Sequence, residues 1–337
     1  SIYIVLTGIL LGFPVGSLFS ASPVVPSRDM IQPKPLARDT VLAVNGKPNF
    51  VLLVPEEPAW QAVAQHLARV LATRFGAMPE MSSQLQDIDL SKKTVIALGQ
   101  MTNNKLIERL YWNRYVFVDS RFPARDGFVV QTVNNPYTLP QGSNILVVGA
   151  STTAGAERAC EYLSQKLPAM AQDGKAGYLL HIELPQLRDS NYIIASKSYS
   201  KVSVPETSLT VAEAQKLVMS PPEPSLLAFH DLGLKYLLTG ETPYLTAAKR
   251  VLETMSDVYD QAPRRPPTWK EECNAFNIFT VWDAVEEAPT FNVEDRQRFS
   301  AMLLKFLKAV AGKVTDYKTV DKQAIIHNHQ SFPLFGI

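Results

Sequence analysis

The chain has 337 residues, 46% of them apolar and 19% charged. This make-up excludes a wholly disordered protein and, at about 150 residues per domain, points to two domains. Lys and Arg number 33 against 32 Asp and Glu, a net charge of +1, so no global basic field draws nucleic acid and no acidic tail keeps the chain open.

The N-terminus opens on a continuous apolar stretch from Ile2 to Phe13. That stretch is too short to span about 30 Å of hydrocarbon comfortably. It has the length of a signal-peptide core and is followed by the small residues Ser20, Ala21 and Ser22, although the usual basic leader is missing. The alternative is a buried strand or helix. We favour an export signal over 1–22, because Pro23, Pro26, Pro33 and Pro35 then make 23–40 a proline-rich linker. This reading predicts a secreted or periplasmic protein whose mature chain carries no stable membrane span.

From 41 to 185 strand and helix signals alternate. Phe50 to Val54 is an apolar run between Pro48 and Pro55 and reads as a strand. Pro58 to Phe75 carries Trp60, Val63, Ala64, Leu67, Val70 and Leu71 at helical spacing, with Gly76 as its C-terminal cap. Thr94 to Leu98 is a second strand, and Asn103 or Asn104 caps a short helix through Leu110. Gly127 to Val133 and Asn144 to Val148 are further strands, and Gly149 to Gly155 turns into a helix through Leu167. Tyr178 to Leu184 closes a small α/β domain. The Gly149 turn lacks both the dinucleotide and the P-loop spacing, so it reads as a tight strand-to-helix turn, not a phosphate site. Of the two cysteines in the chain, Cys160 lies in this region and Cys273 beyond it. Two are too few for a disulfide framework or a four-thiolate zinc site, and buried thiols are a better reading than a single bridge.

The phrase Ile145 to Leu163, following Gly127 to Gln131, resembles the N-terminal accessory domain of β-hexosaminidases and related glycoside hydrolases. There a strand ending in a glycine turn leads into a helix with a Gly-Ala-x-x-Ala pattern. The resemblance covers roughly 41–185 and implies a non-catalytic domain flanking a sugar-active one.

After a connector over 186–207 the period becomes helical. Leu209 to Met219 is a short helix stopped by Pro221 and Pro222. Ser225 caps a helix to Leu238, Gly240 ends it, and Pro243 opens the next, Tyr244 to Tyr259. Glu272 to Ala288 and Val293 to Ala311 follow with short turns and no strand signal, hence antiparallel helical hairpins. On the second of these helices but one, Asp283, Glu286 and Glu287 read as a solvated face without an opposing carboxylate for hydrolysis. Tyr236 to Leu252, with its Thr-Gly-Glu turn, is similar to the hairpins of α/α-toroid polysaccharide lyases of the alginate and heparinase type, and the tail Asn328 to Pro333 resembles their Asn-His segment. The expected fold class is therefore α+β multidomain, a small α/β accessory domain followed by an incomplete α/α toroid over 208–337. The abrupt apolar end at Ile337 leads us to expect a piece of a longer protein.

Of the five histidines, His66 reads as solvated, and His181 and His230 as structural. His327-Asn328-His329 is denser. A metal there needs a third ligand, and only Asp321 lies close in sequence, so neither metal nor cofactor is expected. Eliminating across a uronate linkage requires donors that neutralise the substrate carboxylate, a base for the C5 proton and an acid for the leaving oxygen. Asn328 and Gln330 have the donor chemistry, and His329 has a base of near-neutral pKa. The toroid resemblance implies these roles for Asn328 and His329. Asn274 is a further candidate neutraliser, Trp269 a platform for a sugar face, and His327 and Arg265 substrate contacts. A helix N-terminus in Trp269 to Asn274 favours an anionic ligand. The expected partner is an acidic polysaccharide or oligosaccharide. A glycoside hydrolase on the same toroid and a non-catalytic carbohydrate-binding surface protein are the alternatives.

Overall fold

The computed structural model describes residues 33–136, 144–172, 174–183, 210–219, 225–262 and 266–320. The chain divides into two compact units, one of residues 35–208 with 237–240, the other of residues 1–34, 209–236 and 241–337. The expected export signal and most of the linker lie outside the described residues. Lys34, assigned above to the linker, is instead a buried residue of the second unit.

In the first unit the short strands β1 (Thr40–Val41), β2 (Ala43–Val44) and β3 (Lys47–Pro48) precede β4 (Phe50–Leu53). Then come α1 (Pro58–Phe75), β5 (Glu80–Ser82), β6 (Thr94–Gly99), α2 (Lys105–Trp112), β7 (Phe128–Asn134), β8 (Asn144–Ala150) and α3 (Thr153–Met170). The short strands β9 (Ala171–Gln172) and β10 (Lys175–Ala176) and the longer β11 (Leu180–Glu183) complete it. Six strands form one sheet in the order β11-β7-β8-β6-β4-β5. β5, β4, β6 and β8 run parallel, whereas β7 is antiparallel to both β8 and β11. β5, β9, β10 and the first three strands are too short to give a period-2 signal, which is why the sequence does not announce them.

Because both faces of the parallel strands are covered, their side chains alternate between two cores. Ile96, Leu98, Leu146 and Val148 pack with α1 and α3 on one face. Val95, Ala97, Ile145 and Val147 pack with Leu106, Ile107 and Leu110 of α2 on the other. The caps follow the sequence. Gly76 takes the left-handed conformation, φ 76°, that ends α1. Asn104 accepts from the amides of Leu106 and Ile107 to start α2.

Adjacent strands β4 and β6 send their helices to opposite faces, and the carboxyl ends at such a switch point are where open α/β sheets bind ligands. Here that crevice is filled. A Cβ on Gly99 would meet Asn103 Oδ1 at 2.6 Å and Pro55 at 2.9 Å. Asn104 Nδ2 donates to the carbonyls of both Leu53 and Leu98, at 3.2 and 2.8 Å, stitching the two strand ends together. The turn between Gly149 and Gly155 is equally closed, since a Cβ on Gly155 would stand 2.2 Å from the Gly127 carbonyl and one on Gly149 would strike Val118. The glycines serve close packing and leave no room for a phosphate.

The second unit is helical among the described residues. It contains α4 (Val211–Met219), α5 (Leu226–Thr239), α6 (Thr242–Gln261), α7 (Trp269–Cys273), α8 (Ala275–Val285) and α9 (Val293–Val320). Ser225 Oγ accepts from the Leu227 amide at the start of α5, as its N-cap position predicts. The single helix expected over 272–288 is two, broken at Asn274, which ends α7 and begins α8. Trp282 of α8 lies in an aromatic core, with ring centroids 5.3 Å from Phe291, 6.0 Å from Phe299 and 6.3 Å from Phe229. Lys249 Nζ reaches Asp295 Oδ2 at 2.5 Å, tying α6 to the start of α9. No helix among the described residues is long and apolar enough to cross a membrane. The architecture is thus mixed, a six-stranded sheet with helices in one unit and a run of helices in the other.

Candidate active site

The helical unit gathers charged side chains where α8 ends and α9 begins. Asp283 lies on α8, and Glu286 and Glu287 follow directly after its last residue, Val285. They are not the uniformly solvated face that the sequence suggests. Glu286 is only 3% exposed. It follows Ile278 and Trp282 at eight and four residues, which is the phase of the buried stripe. Its Oε2 lies 3.9 Å from Arg296 Nε. Arg296 is 1% exposed and stands in the stripe of α9 that continues through Phe299, Leu303, Phe306 and Val310. Its Nη1 donates to the Lys34 carbonyl at 2.9 Å, while its Nε and Nη2 have no hydrogen-bond acceptor among the described residues. Lys34 in turn pairs its buried ammonium with Glu287. Sequence reading missed Arg296 and Lys34. For Arg296 the signal was present, a cation at a core-phase position of an amphipathic helix.

Removing Arg296 strands this cluster. Arg296→Ala leaves Glu286 buried beside no guanidinium and the Lys34 carbonyl without its donor, and is expected to destabilise the helical unit by about 3–5 kcal/mol. Urea unfolding followed by circular dichroism checks this. An unchanged midpoint would mean that the guanidinium contributes nothing to the fold.

Asp283 differs from its neighbours. It makes no ion pair with a described Lys or Arg, and it lies on the accessible face of α8 with Thr280 and with Phe276, whose ring is 44% exposed. Loss of solvation, then the negative charge of Glu286 and, more weakly, that of Glu287, push its pKa up to about 7 against the pull of positive charges, of which Lys34 is a minor one. An accessible carboxyl that holds its proton near neutrality is equipped to act as a general acid.

No family model and no curated protein matches this chain.

His327, Asn328, His329, Gln330 and Arg265 lie outside the described residues. Trp269 opens α7, a five-residue helix capped by a reciprocal pair of bonds between Thr268 and Glu271. The anion expected at that helix N-terminus is the protein's own. Glu271, fully buried, accepts from the Thr268 amide at 2.9 Å and from the Leu226 amide at the start of α5 at 3.1 Å. Asn274 donates its amide to the Lys270 carbonyl at 2.8 Å and accepts from Asn277 at 3.4 Å, half-exposed at the break between α7 and α8.

The remaining histidines divide. His181 stacks on Tyr162 with centroids 4.5 Å apart and planes at 5°, and burial pulls its pKa down. His230 is buried, with Nδ1 2.9 Å from Asp231. Both are packing residues, as their sequence contexts suggest. His66 is not simply solvated, because it pairs with Glu157 across α1 and α3. Cys160 and Cys273 are free thiols, the first buried and the second half-buried.

Proposed function

We propose that the chain is an exported carbohydrate-active enzyme that cleaves an acidic, uronate-containing polysaccharide by β-elimination, with its helical hairpins forming part of an α/α toroid beside a hexosaminidase-like accessory domain. The feature that supports this most directly is Asp283, an acid on the same accessible face of α8 as the exposed Phe276, with its pKa drawn up to about 7. It is suited to give its proton to the leaving glycosidic oxygen, a role that sequence reading could not assign. The likeness to toroid lyases contributes His329 as base and Asn328 as carboxylate neutraliser, with Gln330, Asn274, Trp269, His327 and Arg265 as further contacts to the chain. A protonated Asp283, with Glu286 and Glu287 facing Arg296 and Lys34, also spares an incoming uronate the repulsion that three bare carboxylates would exert.

Hydrolysis would need a second carboxylate across the scissile bond, acting as nucleophile or as base for water. The two nearest candidates, Glu286 and Glu287, each face a cation, which favours elimination. Full-length protein mixed with uronate polysaccharides is expected to release an unsaturated product that absorbs in the ultraviolet. New reducing ends without that absorbance would replace the lyase with a hydrolase acting through the same acid. A polysaccharide retarded but not cut would make the protein a binder.

A further inference from the structure

The first unit carries a cluster that this function does not use. α1 and α3 pack against one another on one face of the sheet, through Leu67 and Leu71 on the first helix and Ala156, Ala159 and Leu163 on the second. At the outer margin of that seam stand His66 from α1 and Glu157 and Cys160 from α3. One ligating atom from each residue, His66 nitrogen, Glu157 oxygen and Cys160 sulfur, lies within 4.8 Å of the other two. Glu157 and Cys160 are three residues apart and so project from one side of α3. His66 and Glu157 are half-exposed while Cys160 is buried, so the sulfur forms the floor of the group and the imidazole and carboxylate its rim.

We infer that His66, Glu157 and Cys160 form a site for a single divalent cation of borderline softness, of which zinc is the type. The donor set is one imidazole nitrogen, one thiolate sulfur and one carboxylate oxygen, the mixture that such ions take, whereas magnesium and calcium ask for oxygen alone. The spacing is close to what is needed. With bonds of about 2.0–2.3 Å, the ligand atoms of a tetrahedral zinc site stand about 3.3–3.7 Å apart. His66 and Glu157 are already in hydrogen-bond contact and the sulfur lies within 4.8 Å of both, so rotation of these two half-exposed side chains has to part them and draw both toward the sulfur.

Glu157 is already paired with His66, so an ion entering the group takes over that contact. Arg158, the cation next to Glu157 in sequence, is turned away to Asp126 and Glu183. A divalent ion would compensate the carboxylate and take the sulfur as thiolate, releasing about one proton per ion bound near pH 7. Because both helices supply ligands, it would also clamp α1 to α3.

Cobalt(II), which reports its own ligands by absorption, tests this on the full chain after chelator treatment under reducing conditions. Titration is expected to show one ion per chain, a thiolate-to-cobalt charge-transfer band in the near ultraviolet and visible bands of four-coordinate intensity, all displaced by zinc. Cys160→Ala abolishes the charge-transfer band, and Cys273→Ala leaves it in place. His66→Gln, at a half-exposed position where folding is not at stake, lowers affinity by more than the roughly 10–100-fold that loss of an outer partner of a ligand costs. Absence of the band from the wild type, its persistence unchanged in His66→Gln, or its disappearance with Cys273 instead of Cys160 would each overturn the site.

Discussion

Asp283→Asn is expected to lower turnover by about 10²–10⁴-fold with little change in polysaccharide binding, the range typical for loss of a positioned general acid. The amide keeps the shape of the carboxyl and cannot donate its proton. The pH profile separates this role from a structural one. In the wild type, activity should fall as pH rises through about 7, where Asp283 loses its proton. In the variant that alkaline limb should vanish, leaving a low rate without it. An alkaline limb retained at the same pH in Asp283→Asn would assign the proton to another group.

Stability carries the same signature with a defined sign. The Asp283 pKa is raised on folding, from 3.8 to about 7. Its favourable contribution is therefore fully present below about pH 4, and is lost progressively as pH climbs through 7 and the native state must hold a poorly solvated charge. The asparagine variant escapes that loss. Its melting temperature should match or trail the wild type at pH 4 and gain on it between pH 5 and 8. A difference that stays constant with pH would mean that the carboxyl is already ionised across this range.

His329→Ala in the full-length protein should abolish release of the ultraviolet-absorbing product while a gel containing the polysaccharide still retards the variant. The reasoning concerns the reaction and not local structure, since residue 329 lies outside the described part of the chain. A C5 proton made acidic by a neutralised carboxylate still needs an acceptor whose pKa is near the working pH, and an imidazole is the side chain with that property. Wild-type rates in this variant would remove His329 from the mechanism and leave Asp283 as an acid in search of a different base. Because the two substitutions disable opposite proton transfers of one elimination, the double variant should be little slower than the worse of the singles.

The sheet of the first unit was readable because its strands are long enough to show themselves. Phe50 to Val54, Thr94 to Leu98 and Asn144 to Val148 are apolar runs bounded by breakers, and the structure buries both their faces. β5 escaped because three residues, Glu80 to Ser82, carry no period and take their place only by pairing with β4. In the helical unit the elements were legible, yet the charges within them were not. Hydrophobic spacing predicts which positions face inward and tempts the reader to call every acid on a helix solvated. Glu286 and Arg296 occupy inward positions despite their charge, each made tolerable by the other and, for Arg296, by a backbone carbonyl from a residue 262 positions away. A partner that remote leaves no trace in local spacing. The break at Asn274 was hidden for a related reason, since nothing in Glu272 to Ala288 disfavours one continuous helix, and Glu271, by binding the amides of Thr268 and Leu226, fixes where the first turn sits.

The charge pair between Glu286 and Arg296 also constrains how this protein can diverge. Losing Arg296 alone takes the guanidinium from beside Glu286, and losing Glu286 alone takes the carboxylate from beside a buried guanidinium, whereas replacing both by apolar residues of similar volume is often neutral. Positions 286 and 296 should therefore drift together through evolutionary time, with descendants keeping both charges or neither, and intermediates carrying only one should be rare and short-lived.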